Sequence, residues 1–229
     1  MLKKKHPHRI RIANRIAKEL ESGDVINLGV GIPTLIPDYV DPGKKLYLQS
    51  ENGVLGMGPT PPDEEIDMDL ISASKKPITY DAGAALFHSA DSFAMIRGGH
   101  VNVAVLGALQ VSETGEIANW AIPGETILGV GGAMDLVAGA RRLIIALTHI
   151  SKNGEPKLVE ELSFPTSGVR KAQMAVTEKG VFTFEDGVMT LTEIAPDVSV
   201  EEVYKTTKAN FTVASDLKIM ETESEQTIN

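Results

Sequence analysis

Three short apolar runs limit the folds open to this chain: Val25-Ile26-Asn27-Leu28, Val101-Asn102-Val103-Ala104-Val105-Leu106-Gly107 and Leu143-Ile144-Ile145-Ala146-Leu147. Each has the length and near-continuous hydrophobicity of a strand covered on both faces, as in a parallel sheet sandwiched by helices. The segments between them supply helices. Ile10, Ile12, Ile16, Ala17 and Leu20 recur at mostly helical spacing among Arg, Lys and Glu, and Gly23 closes that stretch as a C-terminal glycine does. Gly29-Val30-Gly31-Ile32-Pro33-Thr34 reads as a turn into a second helix. Residues 77–81 read as a strand, residues 82–96 as a helix offering Leu86, Phe87, Phe93, Met95 and Ile96 to the core, and 129–137 as paired glycines ahead of a short helix.

Beyond Thr148 the rhythm changes. Residues 157–162, 172–177, 181–184 and 189–194 are short alternating segments divided by Asn153-Gly154, Pro165, Gly180 and Asp186-Gly187, which predicts antiparallel hairpins added to the sheet. Residues 200–207 read as a last short helix. The fold class expected is α/β: an open, mostly parallel sheet with helices on both faces and antiparallel additions in the C-terminal third. The 229 residues show no internal repeat and no long linker, so 1–229 is expected to form a single domain, with 1–9 and 216–229 loosely ordered.

Composition excludes several functions. Hydrophobic residues make up 42% and charged residues 23%, as in ordinary globular proteins, while 22 Lys and Arg against 31 Asp and Glu give a formal charge of −9. That balance argues against a general nucleic-acid or anionic-membrane surface. With no cysteine, disulfides, thiolate metal sites and a cysteine nucleophile are excluded. The basic start, residues 1–9, is not followed by the apolar region of a secretory signal, and no apolar run approaches the roughly 18 residues of a membrane span, so a cytoplasmic protein is expected.

The chemistry concentrates in Gln49-Ser50-Glu51-Asn52-Gly53-Val54-Leu55-Gly56-Met57-Gly58-Pro59. A strand-like run, Leu46-Tyr47-Leu48, gives way to a carboxylate and then to glycines. In open α/β folds such a strand end borders the ligand crevice, so Glu51 is either a site group or the cap of the next element. Gly29-x-Gly31 lacks the third glycine of a dinucleotide fingerprint, because Thr34 stands there and Pro33 occupies the first turn. The pair either aims backbone N–H groups at a ligand or lets the chain turn tightly. Asn27, an amide in an apolar strand, is tied to backbone or pointed into a site. Gly131 and Gly132 either pack closely or leave free N–H groups for an oxyanion at a helix start. His88 and His100 have no Ser, Cys or metal-ligand spacing beside them and read as structural. The proline-rich acidic segment Thr60-Pro61-Pro62-Asp63-Glu64-Glu65 reads as exposed and carries no chemistry.

Four motifs occur in one order: Ser50-Glu51-Asn52-Gly53 with Gly56-x-Gly58-Pro59, Ser92-Phe93-Ala94-Met95-Ile96-Arg97-Gly98-Gly99-His100, Ala118-Asn119-Trp120 with Ile122-Pro123-Gly124, and Gly131-Gly132-Ala133-Met134-Asp135-Leu136. Together they resemble the β subunit of family I CoA-transferases, most closely the succinyl-CoA:3-oxoacid CoA-transferase pattern. The resemblance implies a glutamate nucleophile at Glu51, an oxyanion hole that includes the Gly132 amide, and Asn27 beside the reacting carbonyl. It implies substrate and CoA contacts from Gly29, Gly31, Asn52, Gly53 and Gly131, and chemistry without a metal or cofactor, coenzyme A being a substrate. It also implies a ping-pong transfer of CoA from an acyl-CoA to a carboxylic acid, of 3-oxo type, through a glutamyl anhydride and a glutamyl-CoA thioester. A carboxylate suits this because it is ordinarily ionised at neutral pH and needs no general base. A CoA-transferase α subunit, in an α2β2 assembly, is the implied partner.

The chain departs from the family pattern at Ala73-Ser74-Lys75, at Asp81-Ala82-Gly83-Ala84-Ala85 with His88, and at Pro165-Thr166-Ser167-Gly168-Val169-Arg170-Lys171. These leave Glu51, Asn27 and Gly132 intact and leave the acyl acceptor open. An acyl-CoA hydrolase on the same scaffold and a non-catalytic subunit that binds acyl-CoA are the alternative readings.

Overall fold

In the computed structural model, which describes residues 6–125, 127 and 129–221, the three apolar runs become neighbouring parallel strands. The chain runs through α1 (Pro7–Ala17), β1 (Val25–Leu28), a 3₁₀ segment (Ile32–Tyr39), β2 (Tyr47–Ser50), β3 (Val54–Met57), a 3₁₀ turn (Asp63–Glu65) and β4 (Tyr80–Leu86). It continues through α2 (Ser89–Arg97), β5 (Val103–Gly107), β6 (Gln110–Ser112), β7 (Ile117–Ala118), α3 (Ala133–Gly139) and β8 (Arg142–Ala146). The last elements are β9 (Leu158–Val159), β10 (Met174–Val176), β11 (Gly180–Glu185), β12 (Val188–Ile194), α4 (Val200–Thr206) and β13 (Thr212–Ile219).

One ten-stranded sheet has the order β13-β12-β11-β10-β8-β5-β1-β2-β3-β4. Its centre, β10-β8-β5-β1-β2, is parallel throughout, while β3 and β4 on one side and β11 and β12 on the other are antiparallel. Alternation along β5 shows why its sequence reads as one apolar run. Val103 and Val105 pack with Ile12, Ile16 and Leu20 of the first helical layer, and Ala104 and Leu106 pack with Ile96, Leu136 and Val203 of the second. Full burial of side chains such as Leu143, Ile144 and Ile145 contributes about 1.5–3 kcal/mol each. A small sheet, β7-β6-β9, adds Val111, Ile117 and Leu158 to the second layer. The α/β architecture with helices on both faces is as expected.

Four local expectations are corrected. Residues 82–86 continue β4 instead of starting a helix, because Leu86 and Ala85 pair with Val54 and Leu55 of β3, and Gly83 at φ +89° is not helical. Leu86 is accordingly 64% exposed on an edge strand, outside the core. The helix begins at Ser89, where the His88 ring Nδ1 accepts the Ala90 N–H at 3.1 Å. Residues 157–162 contribute only β9, which joins the small sheet parallel to β6. Residues 216–219 belong to β13 and Met220 is buried, so the loose tail does not begin at 216. α1 starts at Pro7, whose fixed φ suits the first helical turn, so residues 7–9 are helical. No helix of the described residues is long and apolar enough to cross a membrane.

Buried charge ties the first helix to the sheet. The Arg15 guanidinium forks onto Glu193 at 2.7 and 2.5 Å and reaches Glu19 at 2.8 Å, while Arg142 holds the other oxygen of Glu19 at 2.7 Å. Burial would push the Glu19 carboxyl up, but the hydrogen bonds from Arg15 and Arg142 outweigh it and hold the group below the usual carboxylate range. Arg15→Met leaves Glu193 without its counter-ion and is expected to cost about 3–5 kcal/mol, read as a lower urea midpoint.

His149, after β8, is fully buried between the hydroxyls of Thr177 and Thr207, both at 3.0 Å. Burial first, and then the positive charge of Lys179, push its pKa down from 6.5 to about 4. The unfolded chain therefore takes up the proton before the folded chain does, and the neutral ring's contribution is present above about pH 6.5 and lost on the way down to about pH 4. Between pH 7 and pH 5 this amounts to about 2 kcal/mol of stability. Denaturant curves at the two pH values should show that loss in the parent chain and a smaller one in His149→Gln.

Candidate active site

The register of β1 against β2 sets Asn27 directly opposite Gln49. Gln49 and Glu51 stand two residues apart, so the extended chain sends both side chains to one face. From β1, the Asn27 amino group donates to Gln49 Oε1 at 2.7 Å, to the Gln49 carbonyl at 3.3 Å and to Glu51 Oε2 at 3.1 Å. Behind it, Gln49 Nε2 donates to the hydroxyl of Ser92 on α2 at 2.7 Å. Asn27, Gln49 and Ser92 are 1%, 2% and 0% exposed, so a dry row of polar groups leads from α2 to the carboxylate. Asn27 Oδ1 is buried with no hydrogen-bond partner among the described residues. The amide's orientation is nonetheless defined, because reversing it would set that oxygen against the acceptor oxygens of Gln49 and Glu51.

This site lies where the strand order reverses. The chain leaves β1 for β2 on one side and later returns to β5 on the other, which opens a crevice at the carboxyl ends of these strands. Glu51 follows the last residue of β2 and enters a tight turn closed by the Gly53 N–H to Ser50 carbonyl bond at 3.0 Å. Gly53 is required there: its φ is +114°, and a Cβ would collide with the Phe87 carbonyl oxygen. On either side of Glu51, Ser50 Oγ accepts the Ala73 N–H at 2.9 Å and Asn52 Nδ2 donates to the Ile71 carbonyl at 2.8 Å. The nucleophile candidate is thus gripped through both neighbours, while its own carboxylate has no ion pair among the described residues.

Glu51 stands in the walls of two cavities. One, about 440 Å³, is lined by Gly29, Val30, Gly107, Gly131 and Gly132. The other, about 640 Å³, is lined by Leu28, Leu48, Met57, Ile78, Ser50 and Lys76. A Cβ on Gly132 would stand 3.4 Å from Glu51 Cγ, so this bare backbone is in contact distance of the carboxylate's stem. Gly132 caps α3, and its N–H has no hydrogen-bond partner among the described residues. The other end of α3 fixes this loop against α2, because a Cβ at Gly139 would collide with the Ile96 carbonyl.

The structure therefore brings Glu51, Gly132, Gly131 and Gly29 to one cavity and sets Asn27 behind the carboxylate. Asn52 and Gly53 shape the turn and line neither cavity. Gly31, at φ +97°, turns the chain into the 3₁₀ segment and also lies outside both. Gln49 and Ser92 were not singled out from the sequence. A glutamine two residues before the key carboxylate, in an otherwise apolar run, was the available signal.

The coenzyme A transferase family model matches residues 9–206. The β subunit of succinyl-CoA:3-ketoacid coenzyme A transferase of Helicobacter pylori (strain ATCC 700392 / 26695) is 46% identical over 202 residues, covering 88% of this chain and 97% of that one. The β subunit of acetate CoA-transferase of Escherichia coli (strain K12) is 47% identical over 207 residues, covering 90% and 94%. The crystal structure of the acyl-CoA transferase (YdiF) apoenzyme from Escherichia coli O157:H7 superposes with a TM-score of 0.74 at 22% identity. That match covers 93% of this chain and 43% of a longer one. With a family model spanning most of the chain and relatives this similar across nearly their whole length, the protein belongs to the coenzyme A transferase family, as a chain of the β-subunit type.

Proposed function

We propose that this chain is the nucleophile-bearing subunit of a CoA-transferase, and that Glu51 carries the group being moved. The observation that carries the proposal is the setting of Glu51: a carboxylate with no ion pair among the described residues, touched by the Asn27 amide and bordering the same cavity as the Gly132 N–H. Its oxygen attacks the carbonyl carbon of an acyl-CoA, the C–S bond breaks, and CoA leaves as a thiolate. The mixed anhydride so formed is attacked by that thiolate at the glutamyl carbon, which releases the first carboxylic acid and leaves a glutamyl-CoA thioester. A second carboxylate then attacks the thioester, and the same two steps in reverse deliver CoA to it. Protons and electrons balance without a redox partner, and neither a metal nor a cofactor enters the scheme.

Each step passes through a tetrahedral oxyanion, and one aimed N–H is typically worth about 2.7–4 kcal/mol to such a species. The Gly132 amide and the Asn27 amino group are the two donors in place. A 3-oxo acid as acceptor is part of the proposal. The relatives named above differ in the acids in their names, so the acid pair is the element that depends most on assay. An α subunit in an α2β2 assembly is also proposed, supported by relatives named as subunits and by the longer solved chain of which this one spans 43%. A cytoplasmic location completes the reading and rests on the sequence features given above.

Glu51→Ala in the assembled enzyme should abolish CoA transfer. Glu51→Asp should lower kcat on the order of 100-fold, because losing one methylene withdraws the carboxylate by about 1 Å. Mass spectrometry after incubation with acetoacetyl-CoA should find CoA attached at Glu51. Transfer that persists in Glu51→Ala would end the assignment, and release of CoA only to water would mark a hydrolase.

A further inference from the structure

We infer that Gln49 is a positioning residue: seated on Ser92, it keeps the Asn27 amino group turned toward Glu51 while Glu51 is covalently loaded. The inference rests on the function proposed above and concerns how its second half is kept in register. Asn27 Oδ1 has no partner among the described residues, so nothing on the oxygen side holds the amide in place. Its orientation depends on acceptors facing the nitrogen: Gln49 Oε1 at 2.7 Å, the more distant Gln49 carbonyl at 3.3 Å and Glu51 Oε2 at 3.1 Å. In the resting site the Glu51 carboxylate is a strong, charged acceptor. Once it becomes an anhydride or a thioester, that charge is gone and its oxygen accepts weakly. From then until an oxyanion forms on the glutamyl carbon, Gln49 Oε1 is the short contact that remains.

Gln49 can do this because its other end is committed. Its Nε2 donates to Ser92 Oγ at 2.7 Å in a place with no water access, so the Oε1 end faces Asn27. The β1–β2 register, with Asn27 opposite Gln49, makes the contact a property of the sheet and not of a mobile loop. The steps that depend on it are those centred on the glutamyl carbon: thiolate attack on the anhydride, and acceptor carboxylate attack on the thioester with loss of CoA thiolate.

The test uses the enzyme assembled with its α subunit and follows the glutamyl-CoA adduct by mass spectrometry in single turnovers. Gln49→Met is expected to slow transfer of CoA from the preformed adduct to added acetoacetate roughly 10- to 100-fold, with KM for the acyl-CoA changed less than about threefold. Combined with Asn27→Ala, Gln49→Met should add less than about twofold, because it acts through that amide; independent, multiplying effects would overturn the inference. If Gln49→Met does not assemble, Gln49→Glu decides, since it keeps an acceptor oxygen at the same reach and Ser92 can rotate to donate to it. Breakdown of its adduct within about fivefold of the parent rate supports the assignment, and stalling at the Asn27→Ala level overturns it. An adduct that turns over normally in Gln49→Met sinks only the role of Gln49, whereas absence of any adduct on the parent chain sinks the proposed function as well.

Discussion

The parallel pairing of β1 with β2 on one side and β5 on the other is the constraint on which the site depends. Because β1 is the strand from which the chain departs in both directions, the ends of all three strands face a common opening, and each supplies what its position allows. Glu51 follows β2, Gly29 follows β1 and Gly107 ends β5. The same register sets Asn27 across from Gln49, so that one amide reaches the carboxylate two residues further along. A slip of one residue would turn Gln49 to the opposite face and leave Asn27 against apolar neighbours.

The arrangement carries a thermodynamic burden. Three polar side chains are dehydrated in a row, and one amide oxygen has no partner among the described residues, a type of loss that typically runs to about 1–3 kcal/mol. The sheet offsets it with continuous apolar burial on both sides and with the Arg15, Glu19, Glu193 and Arg142 network, which binds the first helix to distant strands. The rigid surroundings also hold Glu51 with little freedom, because its neighbours are bonded to Ala73 and Ile71 and its turn is pressed against Phe87.

Much of this was legible in the amino-acid sequence, and what was not follows a physical pattern. β5 and β8 could be read because both their faces meet helices, which leaves a local trace in composition. β4 could not, because at the sheet edge its side chains are largely exposed and its alanines suggest a helix that pairing with β3 overrides. β13 was hidden by its polar residues for the same reason. Glu51 stood out as a carboxylate at the end of a strand, ahead of glycines. Gln49 and Ser92 did not, since their partnership depends on the register of two strands and the docking of α2, none of which is written in neighbouring residues.

That Glu51 forms part of the boundary between two separate hollows bears on traffic. For the proposed chemistry, a bulky nucleotide thiol and a small acid need not queue for a single entrance. One can remain lodged against the glycine-lined wall while the other comes and goes through the larger chamber beneath Lys76, and the carboxylate between them works as a turnstile rather than as the floor of a blind well.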